Sequence, residues 1–550
     1  MTNHLKRDIG LLGLTFVAVS GVIGSGWLFA PLMAAKYAGP ASLVAWGIGG
    51  IAVLLLALTF AEIMAILPVA GGIARVPMFS HGNTVAMAMG WSAWVGYNTT
   101  APIEVEAMLR YLSPFLPWVY EDAGSRVLSW AGVACAGAML VLFTVINALG
   151  VKFFVAINST VTWVKIGIPL VVAAMLIASR FEPGNFVADG GFAPLGLPGI
   201  LAAVSSGGII FSFVGFRHVV DMAGEAKNPG FTVPAALIIS ILICFVIYAG
   251  LQLAFIGALL PTDIAQAGWA NLRLPGNDGP LVALATSIGL IWMVSLLSAG
   301  AVVAPFGGAL VSVGSNARLA FALAENKLFP SALAKLSSLG VPVVALLVNL
   351  VVSTLAFVLL PFDELLKLNS SAIILSFVVG PVAVVALRSL LPRVRRPFRL
   401  PAVHVLGTIA FAISTLVVYW SGWPTVERLG ICLLVGLLTF VGYSRTQLRG
   451  SMDLQEGLWL VPYLIGLGLL SYLGTFQGIG VLPFGWDMVV VCIFSTAVFW
   501  LAVRSRLHGA KFTARMARER EIEMLEGGSA LDALFSEPEL AAARPGPGAR

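Results

Sequence analysis

Gly21-Val22-Ile23-Gly24-Ser25-Gly26 lies in the middle of an apolar run near 11–33, and its reading decides the fold. Three glycines and a serine within six residues make a poor helix. In hydrocarbon an interrupted helix leaves N–H and C=O groups that must find partners within the protein or line a cavity. One reading is close helix packing, because small residues are common where membrane helices touch. A second stretch changes the balance: near 199–224, Ser205-Ser206-Gly207-Gly208 is followed by Ser212-Phe213-Val214-Gly215-Phe216. The two apolar runs lie five apart. Corresponding interruptions in two halves of a chain point to an inverted-repeat architecture with a binding site at mid-membrane.

The rest of the chain fits that setting. It is 59% hydrophobic and 11% charged, with a mean hydropathy of +0.96, whereas a soluble domain carries about 25% charged residues. Lipid must therefore solvate most of it. The polar start at 1–8 has no signal-peptide pattern, so the first apolar run is expected to be retained. The four cysteines, Cys135, Cys244, Cys432 and Cys492, lie in apolar runs without metal-ligand spacing and read as small core residues. Runs long enough to cross a ~30 Å hydrocarbon layer are expected near 11–33, 41–67, 84–112, 126–149, 153–178, 199–224, 233–258 and 284–315. Six more follow near 342–360, 369–391, 403–422, 427–445, 457–475 and 486–504. That makes about fourteen.

Basic residues sort by side. Lys6, Arg7, Arg75, Lys152, Lys227, Arg318, Lys327, Lys335, Arg388, Arg393, Arg395, Arg396, Arg399, Arg445, Arg449 and the six from Arg504 to Arg520 share one side. They outnumber Lys36, Arg126, Arg180, Arg273, Lys367 and Arg428 on the other. The positive-inside rule then places both termini in the cytoplasm of a cell that carries the protein in its inner, or plasma, membrane. The expected division is a cytoplasmic start at 1–10, a core of ten spans at 11–391, accessory spans at 392–505 and a cytoplasmic tail at 506–550. Residues 511–525 read as a charged helix, and 541–550 as disordered.

A helix starting afresh at Ser25 and Gly26 offers free N–H groups and a partial positive charge, which suit a carboxylate. The end of the preceding half-helix, around residues 19–22, offers carbonyls that suit an ammonium. Val22, Ile23, Phe211, Ser212, Val214 and Gly215 complete the candidate site. Such a site reads the α-amino and α-carboxylate groups shared by amino acids.

These motifs resemble the amino acid–polyamine–organocation superfamily of transporters. Residues 21–26 match its G-x-I-G-[ST]-G element, and Ala223-Gly224-Glu225-Ala226-Lys227-Asn228-Pro229 resembles its A-E-E-x-K-N-P. Ala61-Glu62, Leu67-Pro68, Gly71-Gly72, Ser315-Asn316-Ala317-Arg318, Leu328-Phe329-Pro330 and Gly340-Val341-Pro342 follow in order. The resemblance implies an all-α polytopic membrane protein with a five-plus-five inverted-repeat (LeuT-like) core, broken helices 1 and 6, and added C-terminal helices. A closer resemblance, to bacterial aspartate–proton symporters, rests on residues 24–30, Ser80-His81-Gly82, Ile103-Glu104-Val105, Phe192-Ala193-Pro194, residues 419–423 and the turn at 474–480.

Charges inside the spans sharpen the expectation, since each costs at least ~2.5–3.5 kcal/mol at the bilayer centre by insertion scales. Lys165 has no acidic residue within a turn of its own span. It reads either as a proton-exchanging amine or as a lysine tied to backbone carbonyls. The resemblance favours the first, because proton-driven members carry a lysine there in place of a sodium ion. The coupling ion is then a proton; no sodium site and no cofactor are expected. Arg217 reads either as a guanidinium that meets a second substrate carboxylate or as a partner of Asp221 or Glu104. The aspartate symporters resemble this chain in having a basic residue there. His218 is a second proton carrier or a packing residue. Glu104 lines the cavity or faces elsewhere, and Glu106 and Arg110 form an i,i+4 pair.

The leading expectation is import of an amino acid, acidic by the resemblance, by proton symport. An exchanger or uncoupled facilitator for neutral or cationic amino acids is the alternative, and from another class a membrane sensor. No nucleophile–base pair, metal cluster or nucleotide loop points to an enzyme. The expected partners are the substrate and membrane lipids, with no nucleic acid, in a monomer or homodimer.

Overall fold

The computed structural model describes residues 9–68, 72–122, 127–149, 151–274, 279–447 and 453–525. Lys6, Arg7, Gly71, Arg126, Arg449 and the 541–550 stretch lie outside them.

The described chain is helical. The first half contains α1 (Leu11–Val22), α2 (Gly26–Ala38), α3 (Ser42–Ile66), α4 (Gly72–Ser80), α5 (Asn83–Leu112), α6 (Trp130–Ala148) and α7 (Val151–Ser179). Next come α8 (Gly196–Ser206), α9 (Ile209–Phe213), α10 (Arg217–Asp221), α11 (Pro229–Ala258), α12 (Pro261–Ala267), α13 (Pro280–Ser287) and α14 (Ile291–Glu325). The chain continues through α15 (Val343–Leu359), α16 (Phe362–Phe377), α17 (Val379–Leu390), α18 (Val403–Trp420) and α19 (Trp423–Gln447). It ends with α20 (Leu454–Gly457), α21 (Leu460–Leu473), α22 (Trp486–Arg504) and α23 (Gly509–Leu525).

Among the described residues ten helical stretches are long and apolar enough to cross a membrane, or eleven if the bent pair Gly196–Ser206 and Ile209–Asp221 is one span. The fourteen expected spans are thus met only in part. α1, of 12 residues, and α15, of 17, are short. α5 is too polar to qualify, because it carries Asn98, Thr99, Thr100, Glu104 and Glu106, all buried inside the protein rather than facing lipid. The span expected near 284–315 instead runs as Ile291–Glu325, so Ser315, Asn316, Ala317 and Arg318 are helical rather than in a following loop.

Both expected interruptions are present. α1 ends at Val22, and Ile23 leaves the helical region at φ −82°, ψ 81° before α2 begins at Gly26. α8 and α9 are separated by Gly207 and Gly208, with Gly208 at φ +82°, a left-handed conformation that glycine adopts without steric penalty. The axis bends there by 43°. α1 packs on α10, and α2 packs on α8. The two broken helices therefore run antiparallel with their breaks level. α5 and α14 pack along each other, and α3 lies along α11, enclosing the pair.

One end of the bundle is tied together by polar contacts. Ile9 N donates to Glu225 O at 3.1 Å, and Lys227 N donates to Ile9 O at 2.8 Å. Buried Glu62 of α3 accepts from Arg388 (2.8 and 2.6 Å) and pairs with Arg396 at 3.1 Å. This carboxylate is matched by two guanidiniums, which offsets its desolvation. α23 docks on α4: Leu507 N donates to Ser80 O at 2.9 Å, Arg515 donates to Met78 O at 2.9 Å, and Phe512 and Met516 are buried. Lys511 bonds Glu456 at 2.7 Å, and that carboxylate pushes the amine's pKa up. Segments assigned to one side by their basic residues thus meet at one end.

Candidate functional site

The break in span 1 holds a carboxylate already. Ser25 N donates to Glu104 Oε2 of α5 at 2.8 Å, across 79 residues. Gly24 makes this approach possible, because a methyl group on it would overlap the Glu104 carboxyl group. In an unbroken helix Ser25 N–H would bond to the carbonyl of Gly21, so redirecting it is what the interruption accomplishes. The expectation that Ser25 offers a free N–H is corrected: the group is exposed by the break and held by Glu104. Ser25 Oγ is buried without a hydrogen-bond partner.

The carbonyls expected to be free around residues 19–22 are largely engaged. Val19 O accepts from Ile23 N at 2.8 Å, and Val22 O accepts from Tyr248 OH at 2.9 Å. Ser20 O accepts from Lys165 Nζ at 2.8 Å, with Ser20 Oγ 3.3 Å from the same amine. Lys165 is therefore tied to the carbonyl end of the first half-helix. It also adjoins Glu104: a side chain on Gly307 of α14 would strike Lys165, and one on neighbouring Gly308 would press on Glu104. The fold thus brings an amine and a carboxylate from different helices to the two sides of one break.

Span 6 meets the same level. Ser212 Oγ donates to Gly208 O at 2.8 Å, beside the backbone bond that the same carbonyl accepts from Ser212 N at 3.0 Å. Gly26 faces Ser212 and Gly215 faces the Gly21–Val22 backbone so closely that neither position has room for a Cβ. Ile23, Val214 and Gly215 are packing positions, buried between the spans. A narrow gap of about 10 Å³ lies beside the break, lined by Ser25, Gly26, Phe29, Ala30, Met33, Gly208, Phe211, Phe362 and Leu366. It has room for about one water molecule, so an amino acid would enter only as the spans move apart. Phe29 and Phe362 pack with their rings tilted and their centroids 5.1 Å apart, and Arg110, paired to Glu106 at 2.7 Å, lies 4.4 Å from the Phe362 ring centroid.

Arg217 is fully buried at 1% exposure, and it pairs with neither Asp221 nor Glu104. Its Nη2 donates to Thr100 Oγ1 at 3.2 Å, and its Cζ lies 3.8 Å from the Tyr97 ring centroid. Nε and Nη1 have no hydrogen-bond partner. Asp221 Oδ2 accepts instead from Tyr97 OH at 2.8 Å. His218 packs against Gly21, with Nδ1 3.1 Å from Ser315 Oγ, a lodged position between three spans.

Sequence reasoning missed Tyr97, Thr100, Tyr248, Phe29 and Phe362. A signal for the first two was present, because Tyr97, Thr100 and Glu104 follow i, i+3, i+7 spacing and line one face of α5.

The profile of the "Amino acid permease" family matches residues 9–440. The chain is 34% identical over 514 residues to the "Glutamate/serine transporter AimA" of Bacillus subtilis (strain 168), covering 92% of this chain and 94% of that one. It is 33% identical over 512 residues to the "Aspartate-proton symporter" of the same organism, covering 91% and 96%. To the "Branched-chain amino acid permease BcaP" it is 28% identical over 457 residues, covering 80% and 94%.

Proposed function

Because this chain belongs to the amino acid permease family of the amino acid–polyamine–organocation superfamily, we propose that it imports an acidic amino acid by proton symport. It is an amino acid transporter of multiple membrane-spanning helices, not an enzyme. The single observation that carries the acidic substrate is Arg217, a buried guanidinium with two nitrogens unpaired. Leaving charged donors unsatisfied inside a protein is costly, and a side-chain carboxylate would pair with this guanidinium. The names of two relatives, a glutamate/serine transporter and an aspartate–proton symporter, support the same substrate class.

In this reading the substrate's α-carboxylate takes the Ser25 N–H now held by Glu104. A proton on Glu104 removes its charge and loosens its hold, so substrate and proton arrive together. Lys165, beside Glu104 and on Ser20 O, answers the change in charge at the carbonyl end of α1. His218, wedged between span 1 and α14, is a secondary proton carrier. The bridge from Ile9 to residues 225–227 lies on the cytoplasmic side and must open for release.

The test is competition in proteoliposomes with aspartate and alanine. Arg217→Ala weakens aspartate by roughly 2–5 kcal/mol, the range for truncating one member of a buried charge pair, and leaves alanine nearly unchanged. Equal losses for both would instead indicate a small neutral substrate, and Arg217 would be structural.

A further inference from the structure

We propose that Tyr97 is a positioning residue that sets the preference for acidic substrates, by keeping Asp221 away from Arg217. The inference rests on the reading that Arg217 meets a side-chain carboxylate.

Arg217 and Asp221 stand at i and i+4 on α10, the spacing at which opposite charges on a helix meet. Left to themselves they would pair, and the arginine would be neutralised before any substrate arrived. Tyr97 of α5 intervenes with both of its chemical faces. Its hydroxyl donates to Asp221 Oδ2 at 2.8 Å, which turns that carboxylate toward α5. Its ring face holds the guanidinium, 3.8 Å from Cζ to the centroid. An aromatic face attracts a cation without consuming its N–H donors. Only Nη2 is engaged, with Thr100, while Nε and Nη1 stay unpaired and buried. Tyr97 is 1% exposed, so water does not compete for its hydroxyl.

The arrangement separates two roles that one residue rarely combines. The ring fixes the guanidinium against the wall formed by α5, and the hydroxyl disarms the nearest competing anion. Thr100 and Glu104 continue the same face of α5 toward the Ser25 break. The donors of Arg217 therefore belong to the wall that carries the α-carboxylate site. A substrate with one carboxylate uses only the break, and a substrate with two uses both.

Removing the hydroxyl alone isolates the effect. Tyr97→Phe keeps the ring and releases Asp221 to capture Arg217. Proteoliposome competition assays give the ratio of aspartate to alanine potency, which cancels the amount of folded protein. In Tyr97→Phe the ratio falls by roughly tenfold or more, the scale of one charged hydrogen bond, with alanine unchanged. Adding Asp221→Asn to Tyr97→Phe restores the ratio toward wild type, because asparagine has no charge with which to capture the guanidinium. If the double variant stays as low as Tyr97→Phe, or both substrates weaken alike, Tyr97 is merely structural and the inference is overturned. Arg217→Ala separates the two levels of argument. If it flattens the ratio while Tyr97→Phe does not, only the role of Tyr97 is wrong. If Arg217→Ala leaves the ratio intact, the acidic-substrate reading fails and this inference goes with it.

Discussion

Replacing Glu104 by glutamine tests whether proton coupling is a competition between carboxylates for one N–H group. The side chain accepts from Ser25 N at 2.8 Å and fills the space beside Gly24. Glutamine has the same shape and keeps an acceptor oxygen there, so packing is preserved and only the titratable charge is lost. A hydrogen bond to a charged acceptor contributes about 1.5–3 kcal/mol, and a neutral one about 0.5–1.5. The difference, about 1–1.5 kcal/mol, is what the substrate no longer has to overcome. Where Glu104 is ionised and competes, Glu104→Gln should therefore bind substrate roughly tenfold more tightly than wild type. Wild type gains affinity as pH falls and Glu104 takes up a proton; the variant has nothing there to protonate, so its affinity stays level. Binding by substrate-induced thermal shift at pH 5.5 and 8 measures both effects. Uptake in vesicles completes the assay: the variant exchanges substrate in counterflow but no longer accumulates it on a pH gradient. Weaker binding than wild type at pH 8, or undiminished proton-driven accumulation, would refute the competition.

Lys165→Ala removes the amine that caps Ser20 O, and proton-driven accumulation should fall to the level of passive exchange; full accumulation against a gradient would exclude Lys165 from coupling. Gly26→Leu forces a side chain into Ser212 and should abolish substrate binding while insertion and expression persist, which binding to purified protein checks. His81, outside the spans in the turn between α4 and α5, has its imidazole pushed down to about 4 by burial, from the ordinary 6.5. Its neutral form, with Nε2–H donating to Ala502 O at 2.9 Å, contributes stability that is complete above pH 6.5 and is lost as pH falls through about 4, in all about 3 kcal/mol. Thermal unfolding of His81→Gln should lose that part of the acid sensitivity, and an unchanged pH profile would count against it.

The two helix interruptions are legible in the sequence because glycine and serine runs are conspicuous in spans that otherwise favour continuous helix. The intramembrane charges Glu104, Lys165 and Arg217 were legible for a related reason: hydrocarbon makes each one costly, so its presence demands an explanation. Composition and loop charge placed the chain in a membrane and grouped the segments that meet at one end, among them Ile9 with residues 225–227 and α23 with α4. The number of spans was less legible, because apolar runs such as 11–33 and 342–360 do not reveal the length of the helices they form: α1 has 12 residues and α15 has 17.

Which partner each charge chooses was decided only by the tertiary structure. From sequence, Asp221 at i+4 was as good a partner for Arg217 as any substrate, and Ser25 N–H looked free. Tyr97, 124 residues from Asp221 along the chain, reverses the first expectation, and Glu104, 79 residues from Ser25, reverses the second. The physical reason is the range of the forces involved. Helix breaks and membrane burial follow from local composition, whereas a hydrogen bond forms or fails within about 3.5 Å, a distance set by how α5 packs against the two broken helices.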